Sequence, residues 1–188
     1  MKNMIVATCM AVIAGSAAAQ VSVEAAFGAT NLDVDCAGSI SCKNNGSGAK
    51  LVLGYVVAPN ISVEAGYVNF GEAKARVYDY YYGLLDGTLK SSAFYIGGAA
   101  RGEFGRGFSG VARMGIAQVK TTTDVSNGYG SGSISESKAN VLFGLALEYA
   151  LTPKLKATAG IDFTQSPIAE GDTTATLRLV SAGLQYNF

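Results

Sequence analysis

The stretch "VLFGLALEYALTPKLKATAGID", residues Val141 to Asp162, decides the fold. In its first half Val141, Phe143, Leu145, Leu147 and Tyr149 alternate with Leu142, Gly144, Ala146 and Glu148. In its second half Leu155, Ala157, Ala159 and Ile161 alternate with Lys156, Thr158, Gly160 and Asp162. Successive strand side chains point to opposite faces, so a period of two reads as strand and not as helix. Between the halves, Thr152-Pro153-Lys154 is a tight turn. The segment is therefore a β-hairpin. One face is apolar, and the other carries glycine, threonine and charge.

The same period recurs on both sides of this hairpin. It runs through Val21–Asn31, Lys50–Ala58, Ile61–Phe70, Ser92–Phe104, Phe108–Val119 and Leu177–Phe188. With the two halves of the hairpin this makes eight strands, each of roughly the 9–11 residues that a tilted strand needs to cross a hydrocarbon core. Connections alternate in length. Pro59-Asn60, Gly105–Gly107 and Thr152–Lys154 are tight, whereas Leu32–Ala49, Gly71–Ser91, Lys120–Lys138 and Thr164–Thr174 are long and polar. Short turns at one end and long loops at the other are the pattern of an up-and-down transmembrane β-barrel. An even strand number puts both termini at the short-turn end, which is periplasmic in such barrels. The long loops are then extracellular.

The apolar face could point inward around a ligand, as in soluble lipid-binding barrels, or outward to lipid. The opposite face argues for lipid outside. It is rich in glycine and places both signs of charge in the lumen: Glu24, Lys50, Glu64, Arg101, Glu103, Arg113, Glu148, Lys156 and Asp162. Opposite charges can pair in a narrow interior, where an unpaired charge is very costly. Aromatics gather at the ends of the apolar face. Tyr55, Phe104, Phe108, Tyr149, Tyr186 and Phe188 lie at the short-turn end, with Phe27, Tyr67, Phe94 and Phe163 toward the other. Two such girdles are expected of a membrane barrel. Eight strands leave an interior that side chains can fill, so a wide pore is not expected.

Composition agrees with export to a membrane. The chain has 188 residues, 24 glycines, only 15% charged residues, no histidine and no tryptophan. Lysine plus arginine equals aspartate plus glutamate, at 14 each. A neutral chain without a basic block offers no footprint for nucleic acid. Met1–Ala19 reads as a cleaved signal peptide, with Lys2 as its basic end, Met4–Ala14 as its apolar run and Ala17-Ala18-Ala19 as its cleavage site. A lipid anchor on Cys9 is the competing reading. Residues Gln20–Phe188 then form one barrel domain. Cys36 and Cys42 read as a disulfide closing a small loop in an oxidising compartment, worth about 2 kcal/mol. A metal site is the alternative, though histidine is absent and no second cysteine pair exists. No cofactor is expected.

The segments "LVLGYVVAPNISVEAGYVNFG" (Leu51–Gly71) and Val141–Asp162, with the terminal "GLQYNF", resemble the OmpA-like outer-membrane barrel superfamily. The likeness is to its small eight-stranded members, such as OmpX, Ail and the opacity-like porins. It implies an eight-stranded antiparallel barrel in the outer membrane of a Gram-negative bacterium. The peptidoglycan-binding domain that larger relatives add is not carried over. The resemblance also implies that interior acid–base pairs plug the lumen, here at Glu64, Arg101, Arg113, Glu148 and Lys156. It implies a C-terminal signal for the barrel-assembly machinery, matched by Leu184, Tyr186 and Phe188. A monomer is the family expectation.

Four functions follow as candidates. The first is a non-enzymatic barrel that anchors surface loops for envelope integrity or for contact with a host or the environment. Its richest loop is "ARVYDYYYGLLDG" (Ala75–Gly87), where Tyr78, Tyr80, Tyr81 and Tyr82 offer amphipathic contact area. The same tyrosines could instead extend the wall above the membrane. The second is a small gated channel with a salt-bridged lumen. The third is a lipid-modifying enzyme, disfavoured because serine or cysteine nucleophiles of the usual kind need a histidine base. The fourth is a soluble lipid-binding barrel.

Overall fold

The structure is a computed structural model that describes residues 21–33, 39–80, 83–127, 130–167 and 174–188. Its strands are β1 (Val21–Leu32), β2 (Ser41–Lys43), β3 (Asn45–Ala58), β4 (Ile61–Asp79), β5 (Gly83–Gly105), β6 (Phe108–Asn127), β7 (Gly130–Ala150), β8 (Leu155–Pro167) and β9 (Thr174–Asn187). Each long strand pairs antiparallel with the next, and β9 returns to β1. The eight long strands therefore form a ring, with the short β2 laid against β4. The seam is continuous from Ser22↔Asn187 to Leu32↔Leu177. Closure matters because lipid cannot satisfy the N–H and C=O groups of an open edge.

The short turns sit where the sequence places them, and their residues fit. Pro59 precedes Asn60, whose φ of 68° is left-handed, and Ala58 pairs with Ile61 across them. The Thr152 hydroxyl accepts the Leu155 amide at 2.9 Å. The long links differ from expectation. Most of Gly71–Ser91 and Lys120–Lys138 is strand, not loop, because β4, β5, β6 and β7 continue as paired hairpins out to Asp79↔Gly83 and Asn127↔Gly130. Their tips hold few residues. Once a hairpin leaves lipid it needs no apolar face, so the contrast that marks a strand disappears while Val, Thr and Tyr still favour it.

Gly71 redirects β4. Its φ is +73°, its amide hydrogen-bonds the Asn69 carboxamide oxygen at 2.8 Å, and the register with β5 shifts between Asn69 and Glu72. A bulge flips every later side chain to the other face. Ser62, Glu64, Val68 and Phe70 are buried before it; Ala73 is buried after it, with Glu72, Lys74 and Arg76 exposed.

The outer wall is apolar. Phe27, Leu51, Leu53, Ile96, Met114, Ile116, Val141, Leu145 and Leu184 are all exposed, Phe27 by 73%. A soluble monomer rarely shows a continuous apolar patch of more than a few hundred Å². No helix among the described residues is long and apolar enough to cross a membrane.

Candidate functional site

The lumen is filled in layers. On the long-hairpin side is an apolar plug built from Leu32, Phe70, Val119, Leu142, Leu177 and Leu179, each fully buried, with Val52, Val68 and Ala93 against it. The alternation predicts a polar inward face; this half is mixed, with Thr30, Ser91, Thr121, Thr164 and Ser166 buried beside the apolar residues. The inward positions of β9 show why. Leu177 and Leu179 face inward while Val180 and Leu184 face lipid, so both faces are apolar there and alternation loses its contrast.

Below the plug lies a buried ion network. Arg113 on β6 donates to Glu24 on β1 at 2.8 Å, and Lys50 on β3 bridges Glu24 and Asp162 at 3.1 and 2.9 Å. Glu64 on β4 lies 3.5 Å from Arg113 Nε and accepts a hydrogen bond from the Tyr95 hydroxyl at 3.3 Å. Thr158 donates to the other Glu24 oxygen at 3.5 Å. Arg113 Nη1 lies 3.8 Å from Asp162. Neither Nε nor Nη1 makes a hydrogen bond, so this guanidinium is held by charge on two of its three nitrogens. Two glycines make the network possible. A Cβ on Gly144 would strike Asp162 and the Arg113 stem, and one on Gly66 would strike the Tyr95 ring. This is why the lumen face of these strands is rich in glycine.

A second ionic layer sits nearer the short turns. Arg101 grips Glu148 with two bonds of 2.9 Å, and Lys156 Nζ reaches the same carboxylate at 2.8 Å. Bidentate arginine–carboxylate pairs are the stronger kind. The central layer has three carboxylates for two cations, and the lower one has two cations for one carboxylate. Their excesses are opposite and cancel across the interior.

Eight of the nine lumen charges named from the sequence thus meet in two groups. Glu103 does not. It lies at the exposed short-turn rim and makes no ion pair among the described residues. Tyr95 and Thr158 are network members that the sequence reading left out, although the alternation that turns Arg101 and Lys156 inward turns them inward too.

Leu184, Tyr186 and Phe188 face outward at the closing seam. Phe188 donates its amide to the Val21 carbonyl at 3.0 Å, and the Tyr186 and Phe188 rings meet edge-on at 5.0 Å. Deleting Phe188 removes the last bond of the seam and half of this aromatic pair. The expected result is less assembled barrel, read as less heat-modifiable protein in the membrane fraction. Wild-type amounts would restrict the ending to a place in the girdle.

On the opposite side, Tyr78 and Tyr80 are exposed by 62% and 86% near the tip of the β4–β5 hairpin, while Tyr81 and Tyr82 lie outside the described residues. Tyr78 pairs with Leu84 across the hairpin. The ladder below them carries an Arg76–Asp86 pair with bonds of 2.6 and 3.2 Å. Cys42 lies on β2 opposite Ala75. Its expected partner Cys36, like residues 1–20, lies outside the described residues.

Comparisons with known proteins agree with this architecture. No curated protein matches the chain significantly. Among solved structures, Neisserial surface protein A is similar with a TM-score of 0.60 at 15% identity, over 89% of this chain and 97% of that one. The outer-membrane protein OprG of Pseudomonas aeruginosa is similar with a TM-score of 0.59 at 14% identity, over 91% and 96%. The attachment invasion locus protein Ail of Yersinia pestis is similar with a TM-score of 0.54 at 17% identity, over 89% and 99%. At these identities the likeness is one of fold. The family described as "Outer membrane protein beta-barrel domain" matches residues 4–188. With its closed ring, apolar outer wall and filled lumen, this chain belongs to the outer-membrane β-barrel family.

Proposed function

We propose that this protein is a closed, non-enzymatic barrel in the outer membrane of a Gram-negative bacterium, made to hold surface hairpins rather than to conduct. The observation that carries the reading is the filled lumen. An apolar plug stacked on two ionic layers fills the interior with side chains, so chemistry with the surroundings falls to the hairpins above the wall. In this reading the short turns and both termini are periplasmic, the long hairpins are extracellular, and residues 1–19 are removed on export. The protein works as a monomer delivered by the barrel-assembly machinery. Function concentrates on loops held by a rigid scaffold, and the β4–β5 hairpin is the best candidate, with Tyr78 exposed on its ladder and Tyr80 exposed just beyond it.

Deletion of Val77–Leu85 tests this. The expected outcome is loss of cell or surface adhesion with normal heat-modifiable migration. Unchanged adhesion by an assembled variant removes the hairpin from the function. The alternative, a gated channel, draws on the multiple pairing partners around Arg113. In planar bilayers the expected trace is flat; stepwise openings of the wild type would favour the channel.

A further inference from the structure

The outer wall contains a notch that the functional reading leaves unused. The β3–β4 ladder stops at Ala49↔Asn69, just before the Gly71 bulge, and above that point β3 stays beside β4 without regular pairing, Gly71 lying against the Ser47 carbonyl and Gly46 near Glu72. β2 joins β4 higher up, through Lys43↔Lys74. Over the small residues Gly46 to Ala49, with Gly28 and Gly71, the outer wall is indented by a groove of about 910 Å³. Among the described residues, Lys43, Lys74 and Lys90 line it, with Glu72 as its one acid. Its floor carries Asn45, Ser47 and Asn69, and Phe27 of the apolar wall borders it.

The charge here is unbalanced. Lys43 and Lys74 are direct cross-strand partners, an arrangement that destabilises a sheet. Lys74 leans on Glu72 at 2.7 Å and Lys90 on Asp124 at 2.9 Å. Lys43 has no ion pair among the described residues. Lys120 lines an adjoining smaller hollow with Lys90. Among the described residues four lysines thus face two acids, and both ion pairs are exposed, so the lysines can turn to a better anion at little cost. Hydrogen bonding to Asp124 raises the Lys90 pKa further above its ordinary value, and Lys74 holds the Glu72 carboxyl below its own. Both shifts favour the charged forms of Lys90 and Glu72.

We propose that the notch seats a phosphorylated lipid of the adjoining leaflet. Its phosphate is held by Lys43, Lys74 and Lys90, and its acyl chains run down the wall past Phe27. A phosphomonoester carries close to two negative charges and three acceptor oxygens, which suits a surplus of ammonium groups. Basic clusters just outside the hydrocarbon region are how membrane proteins hold anionic lipid headgroups. The polar floor meets the headgroup and the aromatic border meets the chains, so the groove matches an amphiphile better than a free ion. The inference rests on the wall being lipid-facing. It assigns the lipid to the outer leaflet only if the hairpins are extracellular.

The test is native mass spectrometry of the refolded full barrel in detergent, titrated with bisphosphorylated lipid A, its dephosphorylated form, or inorganic phosphate. The expected result is a one-to-one adduct with the phosphorylated lipid. The K43Q/K74Q/K90Q variant should weaken it by roughly tenfold or more, the scale set by charge-assisted hydrogen bonds. Arginine at the same three positions should retain it, and K154Q, at the opposite end, should not affect it. Heat-modifiable migration confirms that each variant is folded. Equal binding of the dephosphorylated lipid, equal binding by the triple glutamine variant, or no adduct at all would overturn the proposal. Binding of inorganic phosphate as tight as the lipid would overturn the acyl-chain part. None of these readouts depends on which way the hairpins face in the cell, which surface proteolysis reads separately.

Discussion

Replacing Arg113 by methionine should lower the stability of the folded barrel by about 3–5 kcal/mol, the usual cost of removing one partner from a buried ion pair. Arg113 stands among Glu24, Glu64 and Asp162, all buried. Without it, Lys50 still serves Glu24 and Asp162, but Glu64 keeps only the Tyr95 hydroxyl. The loss is therefore a stranded carboxylate more than a broken bond. Neutralising the acids in the same chain, as Arg113→Met with Glu24→Gln and Glu64→Gln, should recover at least about 1 kcal/mol of it, because a neutral amide is far cheaper to bury than an unpaired charge. Urea titration of the barrel in lipid vesicles, read by gel mobility, measures both. A single variant as stable as wild type would mean that the network contributes no net stability. A triple variant worse than the single would mean that the cost is one of packing.

The second large effect is expected at Gly28. It lies on β1 at the closing seam, opposite Ser181 of β9. A Cβ at this position would run into the Val180 carbonyl and the Ser181 backbone. Backbone cannot give way as a flexible side chain can. Gly28→Val should therefore force β1 off β9 and leave little or no heat-modifiable barrel. Gly102→Val is the control: nothing lies within 4 Å of a Cβ there, so its cost should stay within about 0.5 kcal/mol. If Gly28→Val assembles in wild-type amounts, the seam has more freedom than its ladder implies.

The parts of this molecule that the sequence discloses are those where lipid imposes contrast. From Phe143 to Tyr149 one face must dissolve in hydrocarbon and the other must not, and the alternation of Leu145 and Leu147 with Gly144 and Glu148 records that demand. The charged lumen residues are legible for the same reason, since Glu24, Arg113 and Glu148 can only point away from lipid. Contrast fails in two places. In the plug, Leu177, Leu179 and Val180 serve opposite faces with the same chemistry, and Phe70 ends its segment just before the Gly71 bulge reverses the phase. Above the membrane, "GSGSISESK" (Gly130–Lys138) is exposed on both faces and the facing "TTTD" (Thr121–Asp124) has no apolar side chain, so their ladder is invisible to any period of apolar residues. β2 is too short to show a period at all. Which charges pair was likewise hidden, because Arg113 and Glu24 are brought together by curvature of the sheet across the lumen and not by neighbouring strands.

The plug has a consequence for the cell as well as for the fold. Every open pore added to an envelope raises its leak in proportion to copy number, so abundance and impermeability oppose each other. On the closed-barrel proposal, a lumen filled by Leu32, Phe70, Leu177 and Leu179 escapes that trade-off, and such a barrel can be inserted densely, covering much of a surface, while the membrane remains as tight as the lipid around it.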